Sequence, residues 1–129
     1  EAVNDLTASD YLQRAANLAQ YGRTAAQAFD TFDVLVSPTI PVTAPTIAEV
    51  ADPDTYRKAN MLALRNTALA NLFGWCAATL PTGLDANGIP SGLQIMAPPM
   101  AERRLLAAAL AIETAIGSGP EMLGKAPLA

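Results

Sequence analysis

The sequence contains no histidine, a single cysteine, four serines and two lysines in 129 residues. Without an imidazole the chain holds no Ser-His-Asp or Cys-His arrangement and no histidine-based zinc site. A lone Cys76 excludes an internal disulfide framework and any multi-cysteine metal site, so no metal and no other cofactor is expected. Its thiol has no activating partner in the chain and reads as a small buried hydrophobe. The serines, Ser9, Ser37, Ser91 and Ser118, are scattered; none adjoins another or sits in a Gly/Ser-rich run. Lys58 falls on an exposed helix position and Lys125 in the tail. A basic field is missing too: the net charge is −4, which gives nothing to attract phosphate backbones or anionic lipid, so neither nucleic acid nor a membrane surface is expected as a partner. Apolar stretches are interrupted well before membrane-spanning length, and the first residues lack the basic and apolar regions of an export signal, so the expected location is cytoplasmic. Residue 1 is Glu rather than Met, which leaves a fragment, a processed chain and a trimmed polypeptide all open.

What is present suits a core. Hydrophobic residues make up 51% of the chain, enough for one domain or for a part of a larger one. The organising stretch is Asn71 to Met96, with two short apolar runs, Ala77–Leu80 and Leu93–Met96, each bounded by Pro or Gly and each too short for a globular helix. They read as buried strands. Between them, Pro81 to Pro90 reads as a connection that turns at Asn87-Gly88. A third short strand is expected at Val34–Val36, stopped by Ser37-Pro38, after which Pro38, Pro41 and Pro45 hold the chain extended.

Three helical patterns surround these runs. From a cap at Thr7 or Ser9, the residues Tyr11, Ala15, Leu18, Gly22, Ala25 and Phe29 recur on one face. Tyr56 to Phe73, capped by Asp52 or Asp54, is apolar over a wide arc and is expected to be well buried, ending at Asn71 and Gly74. Glu102 opens the last helix, with Leu105, Leu106, Ala109, Leu110, Ile112 and Ile116 on its apolar face, and Gly117 to Pro120 ends it. Residues 118–129 read as a loosely held tail. The expected class is α/β: three strands of one sheet, covered by helices. Gly83, Gly88 and Gly92 are expected to serve backbone geometry at positive φ, without chemistry.

The order Asn71, Gly74, Pro81, Gly83, Gly88, Pro90, Gly92, Leu93, Gln94 resembles the C-terminal part of the amidase signature family. Phe32 to Thr39, Arg65-Asn66-Thr67 and the helix from Glu102 resemble family segments as well, so the likeness covers roughly Asp10 to Glu113. Trp75-Cys76 departs from it, standing where the family commonly has a Leu-Pro-like pair. The resemblance implies a mixed β-sheet covered by helices, with residues 1–129 as the C-terminal portion of a single amidase domain and not an independent catalytic one. It implies amide hydrolysis through an acyl-enzyme, with a serine nucleophile activated by a second serine and a lysine, and with backbone N–H groups facing the oxyanion. In the family those residues lie in an N-terminal Gly/Ser-rich region. No catalytic residue is therefore assigned here, and the implied partners are the N-terminal remainder of the enzyme and a small-molecule amide.

Four residues are candidates for substrate binding. The resemblance implies that Thr39 and Ile40 touch the acyl part of the substrate, and their place after a strand end suits a ligand crevice. Asn71 and Trp75, between a helix end and the next strand, are expected at the same sheet edge; alternatively Asn71 caps its helix and Trp75 fills the core. A reading of another class is a non-catalytic small-molecule or protein-binding module, which the missing nucleophile constellation favours and the family-like order of Pro and Gly opposes.

Overall fold

The computed structural model describes residues 5–124. Helix α1, Ala8–Ala26, starts at Thr7, whose hydroxyl accepts from the Asp10 amide while the Asp10 carboxylate accepts from the Thr7 N–H. This reciprocal cap satisfies two of the amides that a helix start leaves open. A short 3-10 turn, Gln27–Asp30, buries Phe29 and leads into strand β1, Leu35–Pro38. Asp52 caps α2, Pro53–Leu64, through the Thr55 amide, and Pro53 sits in the first turn, where its missing N–H costs nothing.

The expected continuous helix from Tyr56 to Phe73 is instead two. Arg65 and Asn66 form a turn between α2 and α3, Thr67–Phe73. The physical reason lies outside the segment: the Asn66 carboxamide donates to the carbonyl of Pro38 at 2.7 Å, and the Thr67 hydroxyl bonds Leu64 O. A side chain tied to the end of β1 fixes where the helix bends. Gly74 then stops α3 at φ 67°.

Strands β2, Cys76–Leu84, and β3, Pro90–Ala97, form a hairpin, and β1 pairs on the other side of β3, giving the order β1-β3-β2 with both pairings antiparallel. All three expected strands share one sheet. The hairpin is tighter than expected, because pairing continues past Pro81 to Leu84 and resumes at Pro90. A bulge between Pro81 and Gly83 takes Thr82 out of register, a common way for an imino acid to be accommodated in a ladder. The remaining connection closes through Asp85 N–H to Ile89 O at 2.8 Å and Gly88 N–H to Asp85 O at 3.0 Å, with Gly88 at φ 75°.

One face of the sheet carries the core. Ile95 and Ala97 are fully buried against Leu105 and Ala109 of α4, Glu102–Ile116, with Ala78, Leu80 and Ile112 around them. Alternate residues at this end of the central strand face α4, which is what the alternation of side chains along a strand requires. Cys76 is half-buried beside this core; its thiol lies 2.9 Å from Pro98 O and accepts the Ala101 amide at 3.3 Å, tying the start of β2 to the turn before α4. Gly119–Leu123, within the stretch expected as a tail, form a short helix, α5, with a Ser118–Glu121 capping box; residues 125–129 lie outside the described residues.

Cover stops there. Neither α1 nor α2 has a buried residue, and Met61, Leu62, Leu64, Leu69 and Leu72 are exposed. The wide apolar arc expected to be buried is thus largely open, because no described element packs over it. Towards its end α1 meets α3: Gly22 faces Phe73, where a Cβ would come within 3.4 Å of the ring.

Candidate functional site

Strand β1 ends at Pro38, and the backbone continues beside β3, with Thr39 N–H donating to Gly92 O at 2.8 Å. From there Pro41 and its neighbours bound a concavity of about 820 Å³ between this segment and the hairpin. Its wall includes Thr39, Ile40 and Val42 from the segment after β1, and Thr79, Ile89 and Gly92 from the hairpin. A volume of this order suits a small organic molecule. Apolar side chains provide much of the lining, and hydroxyl groups from Thr39, Thr79 and Ser91 give it hydrogen-bonding points.

Two of these hydroxyls meet. Thr39 Oγ1 donates to Thr79 Oγ1 at 3.2 Å. They converge because β3 carries no side chain between them: a Cβ on Gly92 would lie 2.8 Å from Thr79 Cγ2 and 3.0 Å from Thr39 Oγ1. Gly83 and Gly88 have positive φ, as expected, at 110° and 75°; Gly92 does not. For Gly92 the expectation of a left-handed backbone is corrected: its constraint is the space between neighbouring strands.

Among the described residues, the only charged side chain on the wall is Asp85. Its carboxylate accepts the Ile89 and Asn87 amides at 2.9 and 2.8 Å, and with the Thr43 hydroxyl these bonds hold its pKa below 3.8, the ordinary value. The concavity therefore presents a fixed negative charge at neutral pH, with no cation among the described lining residues to balance it. Among the described residues no group of three or more His, Cys, Asp or Glu side chains is arranged to hold a metal ion.

The sheet register separates the four candidates. Thr39 and Ile40 lie at the end of β1, level with Gly92. Asn71 and Trp75 lie before the start of β2, and Cys76 pairs with Ala97 at the far end of β3. They are not brought to one edge. The reason is that β1 and β2 both run antiparallel to β3, so the end of one strand and the start of the other fall at opposite ends of the sheet. Asn71 is exposed on α3. Trp75 packs edge-on to Phe29, ring centroids 4.9 Å apart, and tilted against Phe73 at 5.2 Å. Its buried Nε1 has no acceptor among the described residues, and neither does the buried Oε1 of Gln94 have a donor.

Thr79 and Gly92 complete the concavity, and sequence reasoning does not assign them to it. Their signal is a pairing across strands, which no local spacing carries. Three of the serines are engaged locally: Ser37 donates to Pro38 O, Ser91 bonds Thr82 and Gly83 O, and Ser118 belongs to its capping box.

With this geometry in view, the likenesses to known proteins are specific. A family model described as Amidase matches residues 2–106. The 2-amino-5-chloromuconic acid deaminase of Comamonas testosteroni is 51% identical over 122 residues, which are 95% of this chain and 26% of that protein. The fatty acid amide hydrolase of Arabidopsis thaliana is 36% identical over 109 residues, 83% of this chain and 18% of the relative. Among solved structures, that of 6-aminohexanoate cyclic dimer hydrolase complexed with substrate superposes with a TM-score of 0.76 at 26% identity, over 93% of this chain and 28% of that one. The chain spans about a quarter or less of the length of the curated relatives named here.

Proposed function

The chain belongs to the amidase family, and from that membership we propose that it is the C-terminal portion of an amidase-signature hydrolase that cleaves carboxylic amides through a serine acyl-enzyme. In such a reaction a serine oxygen bonds to the amide carbon, the C–N bond breaks as a proton passes to the departing nitrogen, and water then hydrolyses the acyl ester. The catalytic serines and lysine belong to the N-terminal remainder. Residues 1–129 supply sheet, helices and one wall of the substrate pocket, and by themselves do not hydrolyse amides. A small-molecule amide is the substrate. The assembled enzyme works in the cytoplasm, a setting that suits a chain with one thiol and no disulfide.

The observation that carries this reading is the concavity beside the end of β1, with Thr39 and Ile40 on its wall. Local engagement of Ser37, Ser91 and Ser118 supports a nucleophile elsewhere. Asn71, exposed on α3 at the other end of the sheet, enters the proposal as a contact with the remainder; Trp75, packed on Phe29 and Phe73 with its indole nitrogen buried, fills the core beside it. The test uses the full-length enzyme. Ile40→Trp should shift relative kcat/KM toward smaller acyl groups by about tenfold across a size series, since a filled hydrophobic subsite discriminates by that order. A folded variant with unchanged selectivity would remove Ile40 from the wall.

A further inference from the structure

We propose that Thr79, held in place by Thr39, is a specificity-determining residue that donates a hydrogen bond to a neutral carbonyl oxygen carried within the acyl part of the substrate. The inference rests on reading the concavity as the acyl wall. A hydroxyl has one proton to give and accepts as well. Thr79 Oγ1 accepts from Thr39 Oγ1 at 3.2 Å, and among the described residues no acceptor takes the Thr79 proton. Its orientation is constrained on the other side: Cγ2 occupies space over Gly92 that any Cβ there would contest at 2.8 Å, and a β-branched side chain has few χ1 states to choose from. The result is a directed donor on the wall of a concavity, flanked by the apolar Ile40, Val42 and Ile89.

Charge selects the kind of acceptor. Among the described residues no lysine or arginine lines the concavity, and Asp85 contributes a carboxylate. Against this wall a carboxylate on the substrate would meet the like charge of Asp85 and no counter-charge from the described lining residues, which is unfavourable in a partly desolvated site. A carbonyl has no such penalty and matches a single hydroxyl donor. The ligand class is therefore an amide whose acyl chain carries a second, uncharged carbonyl, such as another amide.

The test compares three primary amides of equal length in the full-length enzyme: a hydrocarbon acyl chain, one with an internal secondary amide, and one ending in a carboxylate. The wild type should prefer the internal amide in kcat/KM. Thr79→Val, which keeps the shape and removes the hydroxyl, should lower the ratio of internal-amide to hydrocarbon kcat/KM about five- to tenfold, the scale of one hydrogen bond; Thr79→Ser should retain it. A ratio unchanged in Thr79→Val, a Ser variant as impaired as the Val variant, or a wild-type preference for the carboxylate each overturns the proposal. Should Thr79→Val not fold, Thr39→Val takes its place: a lower ratio supports the pair and an unchanged one overturns it. If Ile40→Trp alters size selectivity while the Thr79 ratio stays fixed, the acyl wall stands and this inference falls. If neither changes, both fall.

Discussion

A methyl group at position 92 would sit 2.8 Å from Thr79 Cγ2 and 3.0 Å from Thr39 Oγ1, with Leu80 O at 3.5 Å. Both threonines belong to neighbouring segments held by backbone pairing, so relief requires a rotamer change or a strand shift. Gly92→Ala should destabilise the full-length protein by about 1–3 kcal/mol, the usual cost of overpacking, as read by denaturant unfolding. It should also break the Thr39–Thr79 hydrogen bond. Wild-type stability in that variant would show that the threonines move freely. At this scale the sequence is partly legible. Gly83 and Gly88 follow from turn and bulge chemistry, and their φ values of 110° and 75° agree. Gly92 reads as structural from the sequence but for the wrong reason, because a contact between Thr39 and Thr79, 40 residues apart, leaves no trace in local pattern.

Helices and strands show where local pattern suffices. The stop at Gly74 and the span Glu102–Ile116 are legible, and the caps at Thr7 and Asp52 are each legible as one of two neighbouring candidates, since all depend on residues within a turn of the boundary. The break between α2 and α3 is not, because apolar periodicity runs straight through it and its anchor is Pro38 O, 28 residues away. Asn66→Ala should therefore cost about 1 kcal/mol in the full-length protein. Because the same bond holds the exit of β1, the substitution should also alter acyl selectivity at Thr39 and Ile40. Loss of stability with selectivity intact would confine Asn66 to a structural role. The hairpin offers the reverse lesson: by local chemistry Pro81 and Pro90 bound the connection, yet a bulge lets the strands extend past them.

The whole molecule has a central strand buried on both faces at its C-terminal end and several uncovered apolar surfaces. Tyr11, Tyr21, Tyr56, Met61 and Leu72 stand exposed on α1 to α3, and Leu106 and Leu110 on α4. Exposed apolar area of this extent is uncommon on an isolated domain and favours association. β1 and β2 are also edge strands among the described residues, with unpaired backbone groups along their outer sides. Produced alone, the chain should self-associate and show no amide hydrolysis, whereas the full-length protein should hydrolyse amides without aggregating; sedimentation and an ammonia-release assay check both. A monodisperse, monomeric fragment would mean that the open faces need no cover. Legibility is lowest here. Periodicity shows which faces are apolar but not what lies over them, so the stripe of Tyr56 to Phe73 reads as buried although the described residues leave much of it bare.

Strand order has a consequence for biosynthesis. β3, the central strand, is the last of the three to leave the ribosome, and neither β1 nor β2 has a sheet neighbour among the described residues until it does. At roughly 5–20 residues per second, β1 waits several seconds for this partner while α2, α3 and β2 are still being made. Translation speed between Pro38 and Pro90 thus sets how long a nascent edge is open to chaperones, proteases and neighbouring chains.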